Sequence, residues 1–392
     1  MPALAPSMEE YCTPHVHRSH ALAPEQLQRL ADRLGVTVQT LPRGLTSDSA
    51  NGLLHAFISV VPKAELHIHI EGSLEPSMML ELAERNGMPA PYPSVEAAQA
   101  AYNFADLQSF LDLYYNGCAV LKTTRDFYDL AWAYLRKAAA NRVVHAEIFF
   151  DPQTHLANGA GFDVFMPGFL KACEDARRAL GINSRLIMCF LRHLSQEDAE
   201  RTLDLAKPYL SHIIGVGLDS SELGNPSLKF EKVMARVREL GLPVVAHAGE
   251  EGPAQYVWDT IKVLKASRVD HGVHSLDDPE LMAHLAATQL PLTVCPLSNL
   301  KLKVYDGQLV QRLQELVLGP HALCITINSD DPAYFGGYMN QNYSWLAEEL
   351  DLGISAVAQL ARNGFLGSFI SEDDKELYIK EVDFLEKAFL DL

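Results

Sequence analysis

From Lys63 onward the chain repeats one theme: a short β-branched or apolar run ends in polar residues, and an amphipathic helical stretch follows. The runs are Ala64–Ile70, Val143–Phe150, Ile182–Leu191, Ile213–Leu218, Pro243–Ala248, Arg268–Gly272, Pro291–Cys295 and Ala322–Asn328. Helical segments such as Ala105–Leu121, Val164–Leu180, Leu228–Leu240 and Pro279–Ala287 lie between them. Near-continuous apolar strands alternating with helices predict a parallel sheet covered by helices. Eight such units closing on themselves give an α/β fold of the (β/α)8 TIM-barrel type. A doubly wound open sheet is the competing topology, but no G-x-G-x-x-G follows the first strand. Residues 338–392 read as additional C-terminal helices outside the barrel. Residues 1–60 differ from the rest: they are rich in Pro, Ser, His and Ala and hold one short helical stretch, Pro24 to Leu34. They are expected to be a poorly ordered N-terminal extension, or a small docking element, ahead of a catalytic domain over 61–392.

Composition narrows the function classes. With 48% hydrophobic and 21% charged residues, the 392-residue chain has ample material for a globular core. Its net charge of -18 is spread along the sequence and repels phosphate backbones, which argues against nucleic acid as substrate or partner. A small neutral or cationic substrate fits better. The six cysteines are scattered without a C-x-x-C pair and read as reduced packing residues. No apolar run approaches the roughly 20 residues of a membrane helix, and the N-terminus has neither signal-peptide nor transit-peptide order. The expectation is a cytoplasmic protein with no membrane partner.

Metal-binding and acid–base residue types gather where the strands end, the place where a (β/α)8 barrel collects its reactive groups. In the first strand, alternation places His67 and His69 on one face, opposite Leu66, Ile68 and Ile70. Two imidazoles at i and i+2 can chelate one divalent ion. An isolated H-x-H is more often chance than ligand, and His15-Val16-His17, with no strand around it, is read as such. The fifth strand supplies His247 as a third nitrogen. Glu250 follows three residues on; desolvated, its carboxyl group would donate a proton near neutral pH, although Glu250-Glu251-Gly252-Pro253 also reads as a helix start. The sixth ends in Asp270-His271-Gly272, where His271 can orient a nucleophilic hydroxide; His274 fits a surface position. The eighth ends in Ser329-Asp330-Asp331-Pro332, whose neighbouring carboxylates point in different directions, one to metal and one to substrate. Three imidazoles and a carboxylate form a zinc-type set, and such a metal brings a bound water's pKa towards neutrality.

These motifs carry a family resemblance. From about Val61 to Phe389 the chain resembles the adenosine/adenine deaminase family of metal-dependent amidohydrolases. The matching segments are Lys63-Ala-Glu-Leu-His-Ile-His-Ile-Glu-Gly72, His247-Ala-Gly-Glu250, Asp270-His-Gly272 and Ser329-Asp-Asp-Pro332. The resemblance implies one zinc ion per chain held by His67, His69, His247 and Asp330. It implies that Glu250 protonates purine N1 as hydroxide attacks C6, that His271 positions the attacking water, and that Asp331 hydrogen-bonds the imidazole half of the ring. The H-x-E with P-C-x-x-C pattern of cytidine-type deaminases is absent.

Two departures bear on the substrate. Glu71 stands where adenosine-specific members usually carry Asp, and Gly217-Leu-Asp-Ser-Ser-Glu-Leu-Gly-Asn-Pro226 replaces their Gly-Asp-Glu stretch. Both resemble the adenine branch, as does Asn328-Ser-Asp-Asp-Pro-Ala-Tyr-Phe-Gly-Gly337. Glu71 and the Ser221-Glu222 pair are expected to fill or repolarise the volume a sugar would occupy. The expected reaction is therefore adenine to hypoxanthine and ammonia, with adenosine to inosine as the alternative. Relatives acting on methylated adenylate need a phosphate site, and only Lys229, Lys301 and Lys303 lie in suitable loops. Relatives studied as secreted growth factors fit poorly without a signal peptide. An inactive metal-binding scaffold would keep the ligands and lose the acid, whereas Glu250, His271 and Asp331 are all present.

Overall fold

The computed structural model describes residues 25, 28, 29, 31, 32 and 50–392. Of the helix expected over Pro24 to Leu34, the five described positions are helical; His15 and His17 lie outside the described residues.

Eight parallel strands form the centre: β1 (Lys63–His69), β2 (Val143–Phe150), β3 (Asn183–Leu191), β4 (Ile213–Asp219), β5 (Val245–Ala248), β6 (Arg268–His271), β7 (Leu292–Val294) and β8 (Ile325–Ile327). Hydrogen-bonded neighbours run β1-β2-β3-β4 and β5-β6-β7-β8. Parallel bridges Val216↔Val244 and Ile68↔Asp330 join the two halves at both seams, so the ring closes as a (β/α)8 barrel. The last two strands are shorter than their apolar runs predict. After Ile327 the chain turns off through Asn328-Ser329-Asp330, and Asp330 pairs sideways with β1: its N–H donates to the His67 carbonyl and its carbonyl accepts from His69 N–H, both at 3.1 Å.

The strands are buried along nearly their whole length, as expected of a sheet covered on both faces. Close helix packing depends on small residues. At Gly168 an added Cβ would sit 2.5 Å from the Thr124 carbonyl oxygen and 2.9 Å from Phe127 Cβ, so helix Phe162–Leu180 lies hard against helix Thr124–Ala140. Helices Met339–Glu349, Ile354–Leu366 and Glu372–Leu390 add the expected C-terminal layer. Helix Ala50–Val60, within the stretch read as an extension, packs against that layer through Phe57 and Phe389, with ring centroids 5.3 Å apart.

Strands β2 and β6 are not neighbours, so contacts between them cross the barrel. Arg268 Nη1 donates to Glu147 Oε2 at 2.6 Å; Arg268 Nη2 donates to the Leu66 carbonyl at 3.1 Å; and His145 Nε2 lies 3.1 Å from Glu147 Oε1. All three ionisable side chains are fully buried. Such a pair holds because each charge finds a partner and further hydrogen bonds.

Candidate active site

The side chains singled out from the strand ends converge. A one-residue register shift in β1 between Glu65 and Ile68 places His67 within a bulge, and His69 follows two positions on. His67 Nε2 lies 3.2 Å from Asp330 Oδ1, His69 Nε2 lies 3.5 Å from the same oxygen, and His69 Nε2 lies 3.2 Å from His247 Nε2. Asp330 (φ 62°) and His271 (φ 61°) hold left-handed backbone that non-glycine residues rarely adopt, a strain found where a site fixes direction.

Hydrogen bonds set the tautomers. Thr293 Oγ1 donates to Asp270 Oδ1 at 2.9 Å, so it accepts from His67 Nδ1, also at 2.9 Å. The His67 proton is therefore on Nδ1, and Nε2 points into the cluster as a lone pair with no hydrogen-bond partner. His69 turns Nδ1 towards Asp219 Oδ2 at 3.5 Å, leaving its Nε2 facing the same point. At His271 the Asn299 amide nitrogen approaches Nδ1 at 3.4 Å. An N–H donated there leaves the ring proton on Nε2, which faces Glu250 Oε2 at 3.6 Å and Asp330 Oδ2 at 3.8 Å.

This donor set fits a tetrahedral metal ion. Bonds of about 2.0–2.1 Å place neighbouring ligand atoms roughly 3.3 Å apart, and the three close separations around His67, His69, His247 and Asp330 have that length. Ligand atoms of His67, His247, His271 and Asp330 also lie within 4.8 Å of one another, so distance alone admits His271 as well. The tautomers separate them: His67 and His69 offer lone pairs, whereas His271 offers an N–H.

Electrostatics agree with this division. Burial lowers the pKa of His69 to about 4 and of His271 to about 3, and pushes His247 well down, so these rings are neutral at pH 7. Burial works against ionising Asp330, but the neighbouring His67, His271 and His69 outweigh it and lower its pKa well below the usual carboxylate range, so Asp330 gives up its proton before His69 and His271 give up theirs. Its neighbour Asp331 is driven up by burial and by the Asp330 charge. Burial, then Asp330 and Glu251, likewise raise Glu250 far above an ordinary carboxyl group, which makes it a proton donor at neutral pH.

The cleft above the cluster holds about 360 Å³ of space, part of it open to solvent. His69, His247, His271, Glu250, Asp330 and Asp331 line one side. Leu107, Phe110, Leu111 and Tyr114 from helix Leu107–Cys118 cover the other, with Asp151 and Asp219 between. Gly72 is needed here, since a Cβ on it would fall 1.8 Å from Asp331 Oδ1.

The expected sugar-filling residues lie elsewhere. Neither Glu71 nor Glu222 lines the cleft. Glu71 Oε1 accepts from Asp151 N–H at 3.0 Å and contacts His155 Nε2 at 2.7 Å; Tyr114 donates to Glu71 Oε2 at 3.4 Å. It therefore supports Asp151 and Tyr114, which do line the cleft. Glu222 is fully buried beneath the β5 loop. Sequence reasoning missed Thr293, Asp151 and Asp219; the last two are polar residues closing β2 and β4, and that position was the available signal. Of the lysines considered for a phosphate, Lys229 is committed to the Arg192 carbonyl at 2.9 Å. His274 sits at the rim, with Asp277 2.8 Å from its Nδ1. All five described cysteines are free, and among the described residues no helix is long and apolar enough to cross a membrane.

Comparison with known proteins extends the picture. Residues 62–385 match the family model described as Adenosine deaminase. An adenine deaminase of Acinetobacter baylyi is 54% identical over 327 residues, covering 83% of this chain and 98% of that one. The crystal structure of an adenine deaminase from Arthrobacter aurescens superposes with a TM-score of 0.81 at 44% identity, over 84% of this chain and 100% of that one. A solved amidohydrolase from Burkholderia ambifaria with bound Zn gives a TM-score of 0.79 at 26% identity, over 89% and 98% of the two chains.

Proposed function

The chain belongs to the adenosine deaminase family of hydrolytic deaminases, and we propose that its substrate is free adenine, converted with water to hypoxanthine and ammonia. The observation that carries this reading is the meeting of the buried Glu250 carboxyl group and the His271 ring, Oε2 to Nε2 at 3.6 Å, at the edge of the three-histidine, one-aspartate cluster. The curated relatives named as adenine deaminases, at 52–57% identity over most of this chain, support adenine as the member of the family's substrate range.

His67, His69, His247 and Asp330 would hold one divalent ion, and zinc is the assignment that the donor set and the Zn-bound relative favour. When bound, the metal makes a hydroxide nucleophile available at neutral pH. Adenine enters with its six-membered ring towards Glu250. The Glu250 carboxyl donates its proton to N1 as C6 is attacked, so negative charge does not build up on the ring. His271 directs its Nε2–H at the attacking oxygen and fixes its approach. Asp331 takes a hydrogen bond with the imidazole half of the base. The proton of the added C6 hydroxyl passes to the amino group, the C6–N bond breaks, ammonia leaves, and the ring carbonyl remains.

The test is ammonia release from adenine by the metal-loaded protein and by Glu250→Gln. The proposal expects turnover by the parent, and a variant that keeps its metal while losing about 10²–10⁴-fold in kcat. A Glu250→Gln protein with full activity would remove the assigned acid.

A further inference from the structure

The loop that carries Glu250 is anchored by one buried carboxylate from another strand. Glu222, fully buried in the loop after β4, accepts four consecutive backbone N–H groups: Gly249 at 2.7 Å on Oε1, and Glu250, Glu251 and Gly252 at 3.0, 2.9 and 2.9 Å on Oε2. Four N–H groups of one turn thus bind this carboxylate, three of them sharing Oε2. Successive N–H groups closing on an anion form a nest, and charge-assisted bonds of this kind are about twice as strong as neutral ones. The turn is shaped for it. Gly249 takes φ +70°, and a Cβ at Gly252 would lie 2.6 Å from Glu222 Oε1. Arg192, also fully buried, holds the other end: its Nη1 donates to the His247 carbonyl at 2.6 Å and its Nε to the Asn225 carbonyl at 2.8 Å.

We infer that Glu222 is a positioning residue for the proton donor: by fixing the backbone of residues 249–252 it sets where the Glu250 carboxyl stands relative to His271 and the bound base. The inference rests on the proposed role of Glu250. It separates two parts of one loop. His247 is held by β5 and Arg192, whereas Glu250 takes its place from Glu222. Loss of the anchor therefore disturbs proton donation and spares the metal cluster. A Gln at 222 keeps the volume but turns an NH₂ towards N–H donors, and a Cβ at Gly252 would crowd the carboxylate at 2.6 Å as well as the Tyr256 ring at 2.7 Å.

The experiment is a double-mutant cycle on the zinc-loaded full chain with adenine, comparing Glu222→Gln, Glu250→Gln and the double variant, with Gly252→Ala as an independent disturbance of the same contact. Glu222→Gln and Gly252→Ala are each expected to lower kcat about 10- to 100-fold, with KM within about threefold and bound zinc unchanged. On the Glu250→Gln background, Glu222→Gln should have little further effect, because residues acting as one unit are not additive. Additive losses, a loss that tracks zinc content, or full activity in a folded Glu222→Gln protein would each overturn the inference. Should Glu222→Gln fail to fold, Gly252→Ala takes its place in the cycle under the same criteria. Full activity in Glu250→Gln alone is a different result: it defeats the assignment of the acid and leaves the anchor contact intact.

Discussion

His67 and Thr293 are 226 residues apart in sequence and meet across the barrel, Nδ1 to Oγ1 at 2.9 Å. Because Thr293 gives its own proton to Asp270, the contact dictates which nitrogen of His67 is free for metal. The functional consequence comes from a residue one step removed from the cluster.

Thr293→Val keeps the shape of that contact and removes the acceptor. Metal affinity should fall about 10–100-fold, read by competition with a chromogenic chelator, while the fold is kept. Unchanged affinity would mean that the tautomer of His67 is set elsewhere.

Chelation of the metal should abolish turnover and also lower stability. With free zinc at a hundred times its Kd, binding contributes about 2.7 kcal/mol, so the thermal midpoint should rise with zinc concentration and drop in the stripped protein. Activity should return on adding zinc. A stripped protein that melts at the same temperature as the loaded one would argue against an ion in this cluster.

Gly72→Ala should act on substrate rather than on metal. The new methyl would displace Asp331, which closes on Gly72 to 1.8 Å of an added Cβ. A loss of about tenfold or more in kcat/KM at full zinc occupancy is expected, as one misplaced contact in a tight site suffices for that. Wild-type kinetics would show that Asp331 has no such constraint.

Glu147 sets an acid-stability window. Burial alone would raise its pKa, but Arg268 and His145 outweigh it and bring it to about 2, against 4.5 for the free side chain. A carboxyl group with a depressed pKa stabilises the fold above 4.5, and that contribution is lost as pH falls from 4.5 through about 2. Glu147→Gln leaves Arg268 buried without its counter-charge, so it should cost about 3–5 kcal/mol at pH 7 and flatten the acid dependence. Urea unfolding at neutral and acid pH measures both. Equal slopes with pH in the two proteins would contradict the assignment.

The barrel was legible because its signal is local. Eight apolar runs of strand length, each followed by an amphipathic segment, leave few topologies, and the polar residues ending those runs mark the chemical face. His67, His69, His247, Glu250, His271, Asp330 and Asp331 could be named on that basis, and they do converge. The supporting residues could not, because each acts through a partner fixed only by closure of the barrel. Nothing near Thr293 in sequence points to His67, and nothing near Glu222 points to the turn at 249–252. Glu71 and Glu222 were expected at the cleft wall because they depart from a family pattern. In the structure their carboxylates are satisfied by backbone N–H groups and buried side chains, some of which line the cleft, so they shape it indirectly. Strand alternation likewise could not reveal the bulge in β1 at His67, since a register shift exists only relative to β2.

The most direct test of the account is the ratio of kcat/KM for adenine and for adenosine, measured side by side on the zinc-loaded protein by ammonia release. The account, which takes the free base as substrate, predicts adenine ahead by about 100-fold or more. Comparable or faster turnover of adenosine would contradict the assignment of the free base as substrate.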